Sequence, residues 1–162
     1  MTALVKVLLV DDECEFVVGL TQRLTKRDYS VTFARSGTDA LAKLEGNKDI
    51  DVVLLDAKMP GLDGLETLKR IKKKWPLVEV IMLTGHSTID SAIHAIKIGT
   101  YDYLVKPIER EQLVSKIGKA ACRKRHRDKL ITEVYMTPYL TRREREEQIA
   151  KIMEPETKSS GG

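Results

Sequence analysis

Short apolar runs alternate with longer helical periods over the first 120 residues. The apolar runs fall at Leu4–Val10, Asp51–Leu55, Val78–Leu83 and Tyr101–Val105, with a weaker one at Ser30–Ala34. Each has strand length, and several are apolar on both faces, as parallel strands buried under helices are. Between them, Phe16, Leu20 and Leu24 repeat at i, i+4, i+8, and Ala40, Leu41 and Leu44 follow Gly37. Leu65, Leu68 and Ile71 follow Asp63, an N-cap candidate with Glu66 three residues on. Ile89, Ala92, Ile93 and Ile96 form a fourth helical stripe, and Leu113, Ile117 and Ala120 a fifth. Five strand–helix units predict an α/β fold with a parallel sheet covered by helices on both sides.

The pattern changes near residue 120. Residues 1–118 carry 17 basic and 17 acidic side chains, while residues 119–162 carry 11 and 7, so the whole net charge of +4 lies in the tail. This predicts a domain at 1–120 and a basic helical tail at 121–162. The fifth helix is expected to run past residue 120 until Pro138 interrupts it. "TRRE" at 141–144 has the form of a capping box, and Ile149, Ile152 and Met153 give the next helix a narrow apolar stripe before Pro155. Such a helix is marginal alone in water and needs a covering surface, with Tyr135, Tyr139 and Leu140 as expected anchors of the bend. The final SSGG reads as a disordered end.

Composition narrows the class. At 42% hydrophobic and 32% charged residues, the chain reads as a soluble globular protein. No apolar run approaches the ~20 residues of a membrane span, and the first strand lacks a basic leader, so a cytoplasmic protein without membrane contact is expected. Cys14 and Cys122 form no redox motif. Cys122 and His126 share i, i+4 spacing, but two ligands are half a metal site.

Chemistry concentrates where the strands end. Asp11 and Asp12 follow the first, Asp56 ends the third, Thr84 the fourth and Lys106 the fifth. In an open parallel sheet these carboxyl ends share one edge, where ligands bind. Singly, each has an ordinary use, as a helix cap, a turn former or a solvated charge. Together they make a site. Clustered carboxylates suit a hard divalent cation such as Mg2+, and a carboxylate can act as nucleophile and become an aspartyl phosphate. Asp56 is the natural acceptor, with Thr84 and Lys106 placed to contact the phosphoryl oxygens and Gly85 leaving room for approach.

"VDDE" at 10–13, "LLDAKMPGLDG" at 54–64, "MLTGHS" at 82–87 and "YDYLVKP" at 101–107 occur in this order. On these motifs, residues 4 to about 120 resemble the receiver domain of two-component response regulators. The resemblance implies a doubly wound, flavodoxin-like (βα)5 fold with strand order 2-1-3-4-5. It implies phosphorylation of Asp56 by a histidine kinase or a histidine phosphotransfer protein. Asp11 and Asp12 would form the acidic pair at the Mg2+ site, with Asp12, Asp56 and the backbone carbonyl of Lys58 as direct ligands. The Lys106–Pro107 peptide would be cis. Thr84 and Tyr103 would act as the switch, and the fourth helix, fifth strand and fifth helix would meet a protein target or a second copy. The resemblance also implies that Lys58 and His86, two residues after the acceptor and two after Thr84, occupy positions that set the lifetime of the phosphoryl group. Their bulk and positive charge are expected to lengthen it.

About 40 residues follow the expected receiver, too few for most output domains. The reading adopted is a stand-alone receiver that signals through protein contact and is not an enzyme beyond slow self-dephosphorylation. Its possible homodimer would use the fourth helix–fifth strand–fifth helix face or the tail. Two rivals are a DNA-binding regulator using "RKRHRDK" at 123–129, and the front end of a larger regulator. A solvated extension of the fifth helix is the favoured reading of that basic run, which leaves nucleic acid a disfavoured partner.

Overall fold

In the computed structural model, which describes residues 4–58, 61–85 and 88–155, five strands alternate with helices. The strands are β1 (Lys6–Val10), β2 (Ser30–Ala34), β3 (Val52–Asp56), β4 (Glu79–Thr84) and β5 (Asp102–Val105). The helices are α1 (Cys14–Lys26), α2 (Gly37–Gly46), α3 (Gly64–Lys74), α4 (Ile89–Ile98), α5 (Arg110–Met136) and α6 (Arg142–Met153). All strand pairs are parallel, in the order β2-β1-β3-β4-β5.

Strand alternation sorts the core into two layers. Leu8, Val10, Val53, Leu55, Val80 and Met82 pack with Ala40, Leu44, Leu68, Ile71 and Ala95 from α2, α3 and α4. Val7, Leu9, Val52, Leu54, Ile81 and Leu83 pack with Leu20 and Leu24 of α1 and Leu113 and Ile117 of α5. The three inner strands are therefore apolar on both faces, which is why they read as unbroken runs. Helix starts follow their caps: Ser36, Asp63 and Thr88 each accept a hydrogen bond from the backbone N–H three residues on.

Three expectations need correction. The α4 stripe does not face the core: Ile89, Ile93 and Ile96 are exposed, and Ala95 is the residue buried. An apolar stripe marks one side of a helix, but not whether the fold buries that side. In α1 the buried set is Val17, Leu20 and Leu24, while Phe16 is only partly buried, because it turns toward the sheet edge described below. In the tail, Tyr139 is fully exposed and Tyr135 largely so, and neither anchors the bend as a buried residue.

The chain divides into compact units at 1–124 and 125–162, a boundary that falls inside α5. At the amino ends of the strands in the first unit, Glu79 is fully buried and accepts two hydrogen bonds from Arg123, at 3.1 and 2.6 Å. Beside them Lys124 pairs with buried Asp51 at 3.3 Å. The second unit is an antiparallel helical hairpin: Arg127 donates to the carbonyl of Glu154, and Arg145 lies over the Tyr135 ring. Thr141 and Glu144 form a reciprocal capping box at the start of α6. The terminal SSGG lies outside the described residues.

Candidate functional site

The carboxyl ends of β1, β3, β4 and β5 meet at one edge of the sheet. Carboxylate oxygens of Asp11, Asp12 and Asp56 lie within 4.8 Å of one another, with Asp11 and Asp56 buried and Asp12 exposed. Burial and mutual repulsion of three anions oppose such a cluster unless donors and cations offset them. The donors are local. Asp11 Oδ1 accepts from the Glu13 N–H at 2.9 Å, and Asp56 Oδ1 accepts from the Lys58 N–H at 3.1 Å.

The cation comes from β5. The Lys106 ammonium donates to Asp11 Oδ2 at 2.8 Å and stands 3.6 Å from Glu13 and 3.9 Å from Asp56. The Lys106 backbone N–H donates to the Thr84 carbonyl at 2.8 Å, which ties its main chain to the end of β4. The Lys106–Pro107 peptide is cis. The ammonium also sits 4.4 Å from the centroid of the Phe16 ring. That aromatic platform was not legible as part of the site, because Phe16 fits a helix stripe equally well.

The electrostatics follow from this crowding. Burial pushes the Asp56 carboxyl up, against the pull of the Lys58 N–H; the Asp11 charge raises it further, Lys106 opposes, and Asp12 adds to the rise. The net result is a carboxyl raised above its ordinary value. For Lys106, burial pulls the ammonium down, but the Asp11 hydrogen bond and the charges of Asp11, Asp56 and Glu13 outweigh it, leaving it raised. Among the described residues the site therefore sets the Lys106 ammonium against a carboxylate cluster whose donors are oxygens. A small hard divalent cation fits this set.

The raised Asp56 carboxyl carries a stability cost with a definite sign. It binds its proton more tightly in the folded than in the unfolded chain, so stability falls as pH rises from its ordinary value through the raised one. Asp12→Ala removes one of the charges responsible. Without metal, the variant is expected to melt no lower than the parent protein near neutral pH, and to gain less on mild acidification. A metal-free melting series across pH checks this, and a lower neutral melting temperature for Asp12→Ala would contradict it.

Thr84 ends β4 fully buried. Tyr103 packs against the α2–α3–α4 side of the core, and its hydroxyl is buried without a hydrogen-bond partner among the described residues. Lys58 is exposed. His86 lies outside the described residues.

Gly64 is a site residue that sequence reasoning passed over. A Cβ there would sit 2.5 Å from the Ala57 Cα and 2.6 Å from the Asp56 carbonyl oxygen, both backbone atoms with no room to yield. The chain after Asp56 folds back on the start of α3, joined by the Gly64 N–H to the Ala57 carbonyl. Gly64→Ala is expected to cost about 1–3 kcal/mol by overpacking and to displace the Ala57–Lys58 backbone. Thermal melting reads the first effect and metal affinity the second; a variant unchanged in both would show that the loop gives way freely.

The profile of the response regulator receiver domain family matches residues 7–118. The transcriptional regulatory protein ZraR of Klebsiella oxytoca is 36% identical over 129 residues, covering 80% of this chain and 29% of that protein. The DNA-binding transcriptional regulator NtrC of Klebsiella pneumoniae is 39% identical over 112 residues, covering 69% of this chain and 24% of its own length. The chain thus spans about a quarter of the curated relatives it matches. Among solved structures, a response regulator receiver domain from Clostridium thermocellum superposes with a TM-score of 0.71 at 40% identity, covering 75% of this chain and 98% of that one. The receiver domain of NtrX from Brucella abortus gives 0.65 at 32% identity, over 71% and 97%. A family match across most of the chain, the shared strand order and the acidic edge agree, and the chain belongs to the response regulator receiver domain family.

Proposed function

We infer that Asp56 is the phosphoryl acceptor of this receiver and that a phosphorylated histidine, on a kinase or a phosphotransfer protein, is its donor. The placement of the Asp56 carboxylate supports this most directly: it lies at a strand end, inside the acidic cluster and within reach of the one lysine that β5 directs there. An Asp56 oxygen attacks phosphorus, the new O–P bond forms as the P–N bond breaks, and the imidazole nitrogen leaves with the electron pair and takes up a proton.

Asp12, Asp56 and the Lys58 carbonyl would hold Mg2+, with Asp11 beside them. When bound, the ion would supply positive charge at the phosphoryl oxygens. Lys106 holds the Asp11 side of the cluster before transfer and contacts a phosphoryl oxygen after it; the Thr84 hydroxyl contacts another. Tyr103 would act with Thr84 as the switch; its hydroxyl has no hydrogen-bond partner among the described residues, so a change of environment would cost it none of the bonds seen here. Labelling by phosphoramidate, a small donor, should require Mg2+ and stop on chelation; undiminished labelling in EDTA would overturn this assignment. Lys58, exposed beside the acceptor, shields the phosphoryl group together with His86. Lys58→Ala is expected to speed dephosphorylation, followed by loss of label in a chase, and an unchanged rate for both this variant and His86→Ala would refute the shielding.

The output is protein contact, and the protein turns over no substrate of its own beyond slow loss of its phosphoryl group. Ile89, Ile93 and Ile96 on α4 and Val105 on β5 are exposed, an apolar face of the kind that marks an interaction surface. A second copy or a downstream protein would cover it. Three cations of the basic run are committed to internal partners: Arg123 to Glu79, Lys124 to Asp51 and Arg127 to the Glu154 carbonyl. This weighs against a phosphate-binding role for the tail. As a partner of histidine kinases the protein would act in the cytoplasm. No described helix is long and apolar enough to cross a membrane. A second reading has its own support: the chain matches a quarter of relatives named as transcriptional regulators, so it can be the receiver part of a longer regulator. The length of the native reading frame decides between them.

A further inference from the structure

A cleft of about 650 Å³ opens between α2 and the carboxyl end of α3, at the opposite end of α3 from Asp56. Leu41 and Trp75 line it, both partly buried and packed against the core. Glu45, Arg70, Lys73 and Lys74 complete the lining. Its volume falls within the range of small-molecule sites.

The charge around it exceeds what the helix needs. From Leu65 to Trp75 the chain carries five bases and one acid, Glu66. Cations in a last turn offset the negative end of a helix, but here each has a distinct position. Lys72 donates to the Pro76 and Val78 carbonyls and closes the turn into β4. Lys74 pairs with Glu45 and lies 5.0 Å from the Trp75 ring centroid. Arg70 reaches back to Glu66 at 3.3 Å along an exposed face, where such pairs are weak and exchange readily. Lys73 is exposed and has no ion-pair partner among the described residues. Two cations are thus available to an incoming anion, beside an indole and a leucine.

We propose that this cleft is a binding site for a purine nucleotide, with the base against Trp75 and Leu41 and the phosphate held by Arg70 and Lys73. The chemistry selects the class. A bare phosphate would use the cations and leave the apolar lining in water. An uncharged ring would use the lining and leave the cations unpaired. A nucleotide uses both, because a base stacks on an aromatic side chain while guanidinium and ammonium groups hold phosphate oxygens. Glu45 adds an acceptor, since the carboxylate oxygen not engaged by Lys74 can take a hydrogen bond from a ring or exocyclic N–H. The site is separate from the acidic edge and does not depend on Asp56 being the acceptor.

Trp75 is the one tryptophan of the chain, so the NMR signal of its indole N–H reports the cleft without interference from nucleotide absorbance. The full protein is titrated with AMP and GMP, and in parallel with inorganic phosphate and with adenosine, up to about 5 mM, where a site of millimolar affinity fills. The expected result is a saturable shift of the Trp75 indole signal with AMP or GMP. The Arg70→Ala, Lys73→Ala double variant should weaken it at least about tenfold, the loss of charge-assisted hydrogen bonds. Both positions are exposed, so the variant keeps its fold, which circular dichroism verifies. No saturable change with either nucleotide would overturn the proposal. So would an equal response to phosphate alone or to adenosine alone, or an undiminished response in the double variant.

Discussion

Asp56→Asn is expected to reduce phosphoryl incorporation from phosphoramidate in Mg2+ to background, while the protein folds at least as stably as its parent. The substitution keeps the shape of the side chain and leaves an oxygen to accept the Lys58 N–H, now 3.1 Å from Oδ1. It removes the anionic oxygen that attacks phosphorus. It also removes one charge from a cluster in which burial and neighbouring carboxylates already push Asp56 up. Loss of labelling with a raised or unchanged melting temperature therefore separates a missing nucleophile from a damaged fold. Labelling that persists at the parental rate would exclude Asp56 as acceptor. Loss of labelling with a collapsed melting temperature would place Asp56 in the structural framework instead.

The largest stability effect is expected at the other end of the sheet. Glu79 is fully buried, and the Arg123 guanidinium that grips both its oxygens also stacks 4.6 Å from the Tyr101 ring centroid. Removing one member of a buried ion pair leaves an uncompensated charge, at a cost of about 3–5 kcal/mol. Arg123 keeps 21% of its side-chain exposure and can recruit water, so Glu79→Ala should fall near the lower end, about 3 kcal/mol. For a chain of this size that corresponds to a drop of roughly 6–12 °C in melting temperature. The double variant Glu79→Leu, Arg123→Leu should recover most of the loss, because an apolar pair of similar volume carries no desolvation penalty. A single variant that melts within a degree or so of its parent would show that the pair is not buried in solution.

These two sites differ in how far the sequence exposes them. The acidic edge was legible because strand ends are local events. A run of apolar residues stops, a carboxylate follows, and parallel topology brings every such end to one edge. Asp11, Asp12, Asp56, Thr84 and Lys106 can be brought together from the sequence alone. The ion pairs at the opposite edge could not. Arg123 and Glu79 stand 44 positions apart, and Arg123 lies in a basic run that reads as solvated. Periodicity showed that α4 has an apolar stripe, but burial is a property of the neighbours, and the sheet takes Ala95 while leaving Ile89, Ile93 and Ile96 outside. Phe16 and Gly64 were missed for the same reason. One acts by lying under an ammonium from β5, the other by the backbone it lets approach, and neither relation leaves a local mark.

The acceptor assignment is tested most directly by mapping the phosphorylated residue. The protein is phosphorylated with phosphoramidate in Mg2+, treated with borohydride, which reduces an aspartyl phosphate to homoserine, and digested for mass spectrometry. Homoserine at position 56, absent from the Asp56→Asn variant and from samples prepared in EDTA, is the expected result. Homoserine at position 11 or 12, or phosphate retained on a histidine, serine or threonine with position 56 unmodified, would contradict it.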